Sequence, residues 1–119
     1  MGRVKITDDD IVTFTEGDCN VLAEVIHNKT GWSFAAFHQD GWLDLHAFVI
    51  TPSGKYLDVE GVHSYDDFVE SWKCTTIIAT TPEKLYKEWG PNLFSHSRTR
   101  AEKIAPILIK QAKEIDDSV

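Results

Sequence analysis

The chain has 119 residues, 42% apolar and 26% charged, the make-up of a single globular domain, 1–119, with a buried core. Its formal charge of −7 is repelled at long range by nucleic acid and by anionic membrane surfaces, so neither is expected as a partner. No apolar run approaches the ~20 residues of a membrane-spanning helix, Met1-Gly2-Arg3-Val4 is not a secretion signal, and Cys19 and Cys74 make no disulfide framework; a cytoplasmic protein with reduced thiols is expected.

Residues 1–15 read as extended or irregular, with Asp8-Asp9-Asp10 a solvated turn and Ile11-Val12-Thr13-Phe14 a short strand. From Asp18 the pattern turns helical, because Leu22, Ala23 and Ile26 follow Cys19 at three, four and seven residues on one face. Asp18 suits an N-cap and Gly31 the left-handed residue after the last turn, which bounds a helix over Cys19–Thr30. A strand over Trp32–His38 and a turn at Gln39-Asp40-Gly41 come next.

Leu43–Thr51 and Lys55–Val59 read as a β-hairpin joined by Pro52-Ser53-Gly54. Both faces of these strands are largely apolar, so layers should cover the sheet on both sides. Ser64 is placed to cap a helix reaching Trp72, Cys74–Thr80 forms another strand, and Pro82 opens a short helix ending near Gly90. A last helical region covers Ser97–Asp116, in which Pro106 must kink the helix or start a new one, with Ile104, Leu108 and Ile115 as the packing stripe. Arg98, Arg100 and Lys103 read as a solvated basic cluster.

The chemistry centres on Cys19. At a helix N-terminus the unpaired amides and aligned peptide dipoles favour a thiolate, and a thiolate nucleophile works with a nearby imidazole whose orientation a third polar group fixes. His46 and Asp58 meet that need if the hairpin pairs evenly: with Thr51 opposite Lys55, Asp58 faces Phe48, and His46 is the next residue along that face. Such diagonal neighbours lie roughly 7–8 Å apart at the backbone, within reach of two inward-leaning side chains. A one-residue slip would put them on opposite faces.

Gly17-Asp18-Cys19-Asn20-Val21-Leu22-Ala23 resembles the G-x-C-x-x-x-A segment of transglutaminase-like domains. His46-Ala47-Phe48-Val49 resembles their H-A-W/F-V strand, and Tyr56-Leu57-Asp58-Val59 the strand that supplies an aspartate. The resemblance covers about residues 15–63 and keeps the order Cys, His, Asp. It implies an α+β fold of the papain-like/transglutaminase-like superfamily, an antiparallel sheet with the Cys-bearing helix packed on one face and further helices around it. It further implies Cys19 as nucleophile, His46 as general base and then acid, Asp58 as the group orienting His46, and the Cys19 backbone amide as an oxyanion donor.

Trp42, just before the histidine strand, is a candidate substrate contact, and His63, just after the aspartate strand, reads as a substrate contact, a group behind the site, or a structural turn residue. Zinc accepts sulfur, imidazole and carboxylate, so Cys19, His46, Asp58 and His63 form a chemically allowed ligand set, but their spacing has no paired-ligand signature. Neither a metal nor a cofactor is expected. The leading expectation is a cysteine-dependent acyl-transfer enzyme acting on a protein or peptide-like amide; the alternatives are a non-catalytic acidic binding or inhibitory module that keeps the fold, and a redox-responsive thiol protein.

Overall fold

The computed structural model of the chain describes residues 4–16, 18–38, 45–72, 76–84 and 96–117. Its first element, α1 (Asp8–Glu16), corrects the strand expected at Ile11–Phe14. The β-branched run favours a strand, but a reciprocal cap decides otherwise: Thr7 N–H donates to Asp10 Oδ2 at 2.8 Å, and Asp10 N–H donates to Thr7 Oγ1 at 3.2 Å. Three acidic residues then sit in the first turn, at the positive end of the helix dipole. Burial completes the case, since Phe14 is 1% exposed in the core and Ile11 packs against it.

The Asp10 carboxylate also ties α1 to the end of the chain. Arg100 Nε donates to Oδ1 and Nη2 to Oδ2, both at 2.7 Å, and Nη2 reaches the Lys5 carbonyl at 2.7 Å. Arg98 meets Glu24 at 2.9 Å, so two of the three cations expected to be merely solvated join elements together. The hydrogen bond from Arg100 moves the Asp10 pKa from 3.8 to about 2, against the opposing effect of burial. A carboxyl depressed in the fold stabilises it above its ordinary pKa and stops doing so as the pH falls through the folded value. Asp10→Asn is therefore expected to lower the melting temperature at pH 7, and thermal melts should show the gap to wild type closing towards pH 2.

Helix α2 spans Cys19–Thr30, with Gly31 (φ 76°) in the left-handed region and its N–H bonded to the His27 carbonyl at 2.8 Å. Asp18 occupies the N-cap position and its carbonyl accepts the Val21 and Leu22 amides. Its carboxylate makes no capping bond, however, because φ −108° and ψ 19° lie outside the extended backbone that aims a cap side chain at the first-turn amides.

Strands β1 (Ser33–His38), β2 (Leu45–Ile50), β3 (Tyr56–Asp58), β4 (Gly61–His63) and β5 (Thr76–Ala79) form one antiparallel sheet in the order β4-β3-β2-β1-β5. The short β4 was not expected from the sequence. Helix α3 (Tyr65–Trp72) begins as expected at Ser64, whose Oγ accepts the Asp67 N–H at 3.2 Å and whose carbonyl accepts the Phe68 N–H at 3.0 Å. Residues 82–84 are helical, and the expected Gln39–Gly41 turn and the continuation to Gly90 lie outside the described residues, as does Cys74.

The last helix, α4 (His96–Asp117), runs through Pro106 without a new start. Pro106 and Glu102 are both exposed, so the carbonyl that loses its amide partner is on the solvent side. Ile104 and Leu108 are fully buried as expected, while Ile115 is 39% exposed; Ala101, Ala105 and Ala112 complete the buried stripe instead, and their small side chains let α4 lie close on α2.

The sheet divides the core in two. On one face α1, α2 and α4 pack over Phe34, Ala36, Ala47, Val49, Leu57 and Val59. On the other, Phe68 of α3 packs with Ala35, Phe37, Phe48 and Tyr56. The protein is thus an α+β fold in which the Cys19-bearing helix lies on one face of an antiparallel sheet. Among the described residues no helix is long and apolar enough to cross a membrane.

Candidate functional site

The hairpin pairs in the even register that the site requires, with Val49 opposite Leu57 and Ile50 opposite Tyr56. His46 and Asp58 consequently share a face, and His46 Nε2–H donates to Asp58 Oδ2 at 3.0 Å. His46 is 2% exposed and Asp58 4% exposed. The imidazole sits among aromatic rings, 5.5 Å from Phe37, 5.8 Å from Phe68 and 6.1 Å from Phe48 between centroids.

Cys19 comes from the opposite layer, which poses a geometric problem: a helix on one face must deliver sulfur to a ring on the other. A local end to the β-ladder solves it. Thr51 N–H donates to the Lys55 carbonyl at 2.8 Å, so by antiparallel alternation Thr51/Lys55, Val49/Leu57 and then Ala47/Val59 are the hydrogen-bonding positions. The β2–β3 pairing stops at Val49/Leu57, because the chain turns at Val59 and Glu60 and returns as β4 from Gly61. Gly61 has φ 110°, a conformation few side chains tolerate, and Glu60 N–H donates to Asp58 Oδ1 at 2.9 Å within this turn.

The Ala47 amide, aimed where a continued ladder would hold a Val59 carbonyl, donates instead to Cys19 Sγ at 3.3 Å. The sulfur thus enters the opening between β2 and β3, near the plane of the sheet and one residue along the strand from His46. Cys19 is close enough to be one of the influences that raise the imidazole's proton affinity. Nε2 is committed to Asp58, and Nδ1 is buried without a hydrogen bond of its own among the described residues.

These contacts set the charges. Burial works against a protonated His46 and is the largest single influence, yet the hydrogen bond to Asp58, the nearness of Cys19 and the Asp58 charge raise the pKa to about 9. Burial likewise opposes ionisation of Asp58, but hydrogen bonds from two imidazoles, His46 and His63, hold it down at about 2. His63 Nε2–H donates to Oδ1 at 2.9 Å, opposite the oxygen that serves His46.

The structure therefore brings Cys19, His46, Asp58 and His63 together. His63 stands behind the carboxylate, a quarter exposed at its side chain, with its ring 5.5 Å from Phe68. Trp42 lies outside the described residues. Cys19 is 5% exposed and carries no disulfide. Among the described residues no cluster of three or more His, Cys, Asp or Glu side chains is arranged to hold a metal ion.

The sequence signalled the backbone contribution only in part. The two-residue turn before Gly61 forms the opening at Ala47, and Asp58-Val59-Glu60-Gly61 carries turn-forming character at both ends. Fold and site together define an α+β protein with a buried cysteine–histidine–aspartate arrangement. Comparison with known proteins adds no relative: no protein-family model matches the chain, and neither a curated protein nor a solved structure matches it.

Proposed function

We propose that the protein is a cysteine-dependent acyl-transfer enzyme acting on an amide of a protein or peptide-like substrate, in the manner of the transglutaminase-like and papain-like families its motifs resemble. The observation that carries this reading is that Cys19 Sγ accepts the amide of Ala47, the residue next to His46, while Asp58 is bonded to Nε2 of the His46 ring. That is the relation a thiol nucleophile needs with a proton carrier and its orienting group.

In this mechanism the Cys19 thiolate attacks the substrate carbonyl carbon, a C–S bond forms, and the carbonyl electron pair moves to oxygen. The Cys19 backbone amide, in the first turn of α2, is the oxyanion donor. His46 gives its proton to the departing amine as the C–N bond breaks, leaving a thioester. Water or a second amine then attacks, His46 takes the proton from it, and the thiolate is released. Asp58 holds the ring in one orientation and balances its charge throughout.

The competing reading is a binding module that keeps the fold without the chemistry, and the burial of Cys19 is the observation in its favour. Iodoacetamide labelling of Cys19 between pH 5 and 9 separates the two. The enzyme reading expects rapid labelling well below the ~8.5 at which an ordinary thiol ionises, with a pH profile that changes in His46→Ala. Slow labelling that follows an ordinary thiol and ignores His46 would leave the binding module standing.

A further inference from the structure

Building on the acyl-transfer reading, we infer that His63 is a positioning residue of the same site, fixing through Asp58 Oδ1 the carboxylate whose other oxygen orients His46. A carboxylate on a strand is free to rotate about its last bond, and a single hydrogen bond from His46 would not set its plane. In this protein Oδ1 receives two donors, His63 Nε2–H and the Glu60 amide, both at 2.9 Å. They lock the plane, so Oδ2 is presented to His46 before any substrate arrives. Such preorganisation is what separates a productive proton carrier from a histidine that is merely nearby.

The fold supplies this second imidazole through β4. Tight reversal at Val59 and Glu60 sets Tyr56 opposite His63, which places the His63 ring on the same face as Asp58 and against Phe68 of α3. One turn therefore does two things: it ends the β2–β3 ladder so that Ala47 can meet sulfur, and it returns the chain so that His63 can meet Asp58. The charged groups around His63 are Asp58, Glu60 and His46. The hydrogen bond to Asp58 raises its proton affinity most, burial opposes, the Asp58 and Glu60 charges add to the rise, and the His46 charge subtracts. A cationic His63 also offsets the Asp58 charge in the buried cluster.

The donor, rather than the bulk of the ring, is what matters, and that distinguishes positioning from packing. His63→Gln places an amide N–H close to where Nε2 lies, whereas His63→Leu fills the space without a donor and His63→Asn ends too short to reach Oδ1. Iodoacetamide labelling of Cys19 across pH 5 to 9 is expected to be about tenfold slower in the leucine and asparagine variants and to recover to within about threefold of wild type in the glutamine variant. NMR titration of His46 in the glutamine variant should show its midpoint moving up, because a neighbouring cation has been removed while the hydrogen bond to the carboxylate is kept. The asparagine and glutamine variants keep the comparison intact if the leucine variant does not fold.

Labelling that responds to His46→Ala but is unchanged in all three His63 variants overturns the positioning role and leaves the acyl-transfer reading in place. Equal slowing in the glutamine and asparagine variants also overturns it, since a donor at Oδ1 would then be immaterial. Labelling indifferent to His46→Ala removes the acyl-transfer reading itself.

Discussion

Asp58→Ala is expected to destabilise the protein by about 3–5 kcal/mol at pH 5 to 6, the cost of leaving a buried ion without its partner. Three donors lose their acceptor at once: His46 Nε2, His63 Nε2 and the Glu60 amide. The loss should depend on pH in a definite way. Asp58, held at about 2 in the fold, stabilises it fully above the ordinary carboxylate value of 3.8, and that contribution is lost as the pH falls through 2. His46, raised from 6.5 to about 9, stabilises the fold fully below 6.5, and its contribution is lost as the pH rises through 9.

The wild-type advantage over Asp58→Ala should thus be widest between about pH 4 and 6.5 and narrow towards pH 9. In the variant His46 keeps its burial but loses the carboxylate that favoured its charge, so acidification below the ordinary histidine range should destabilise it. Urea unfolding at a series of pH values measures both curves. Parallel curves, with a constant gap from pH 4 to 9, would mean that the buried pair is not ionised in the native protein.

The second large effect is expected at Phe68, 1% exposed and the point at which α3 enters the sheet. Its ring lies 4.7 Å from Phe48, 5.1 Å from Tyr56, 5.5 Å from His63 and 5.8 Å from both Phe37 and His46. Phe68→Ala should cost about 3–5 kcal/mol, as lost transfer energy and a cavity that the surrounding rings fill only in part, whereas Phe68→Leu should cost under about 1.5 kcal/mol. Because both histidines lean on this ring, the alanine variant should also slow Cys19 labelling in proportion to the freedom His46 gains. Chemical denaturation and labelling on the same samples test the two effects, and a stable alanine variant would show that α3 is held by something other than Phe68.

Residues that act over one turn or one hairpin were legible. The Cys19–Thr30 helix and its Gly31 stop follow from apolar spacing and a left-handed glycine, and the Ser64 cap from a hydroxyl three residues before an amide that needs an acceptor. The hairpin register follows from a Pro-Ser-Gly turn between two apolar runs, and with it the pairing of His46 with Asp58, because period-two geometry leaves little choice once the turn is placed. Even α1 had a readable sign in Thr7-Asp8-Asp9-Asp10, although the β-branched residues after it argue the other way until Phe14 is seen in the core.

Contacts between layers were not legible in that way. No spacing rule says that Arg100 lies on Asp10 ninety residues earlier, that alanines rather than Ile115 face α2, or that Pro106 passes within a continuous helix. The meeting of sulfur and imidazole belongs to the same class. Chain order places Cys19 and His46 on elements that pack together, but α2 covers one face of the sheet and His46 points from the other. Only the early end of the β2–β3 ladder, produced by a turn at Val59 and Glu60, opens the strand edge where the Ala47 amide reaches Sγ, one residue from His46. Local patterns settle which faces are apolar and which residues oppose one another across a turn, because those follow from backbone periodicity; where a ladder stops, and what fills the place it leaves, depends on the packing of all the layers at once.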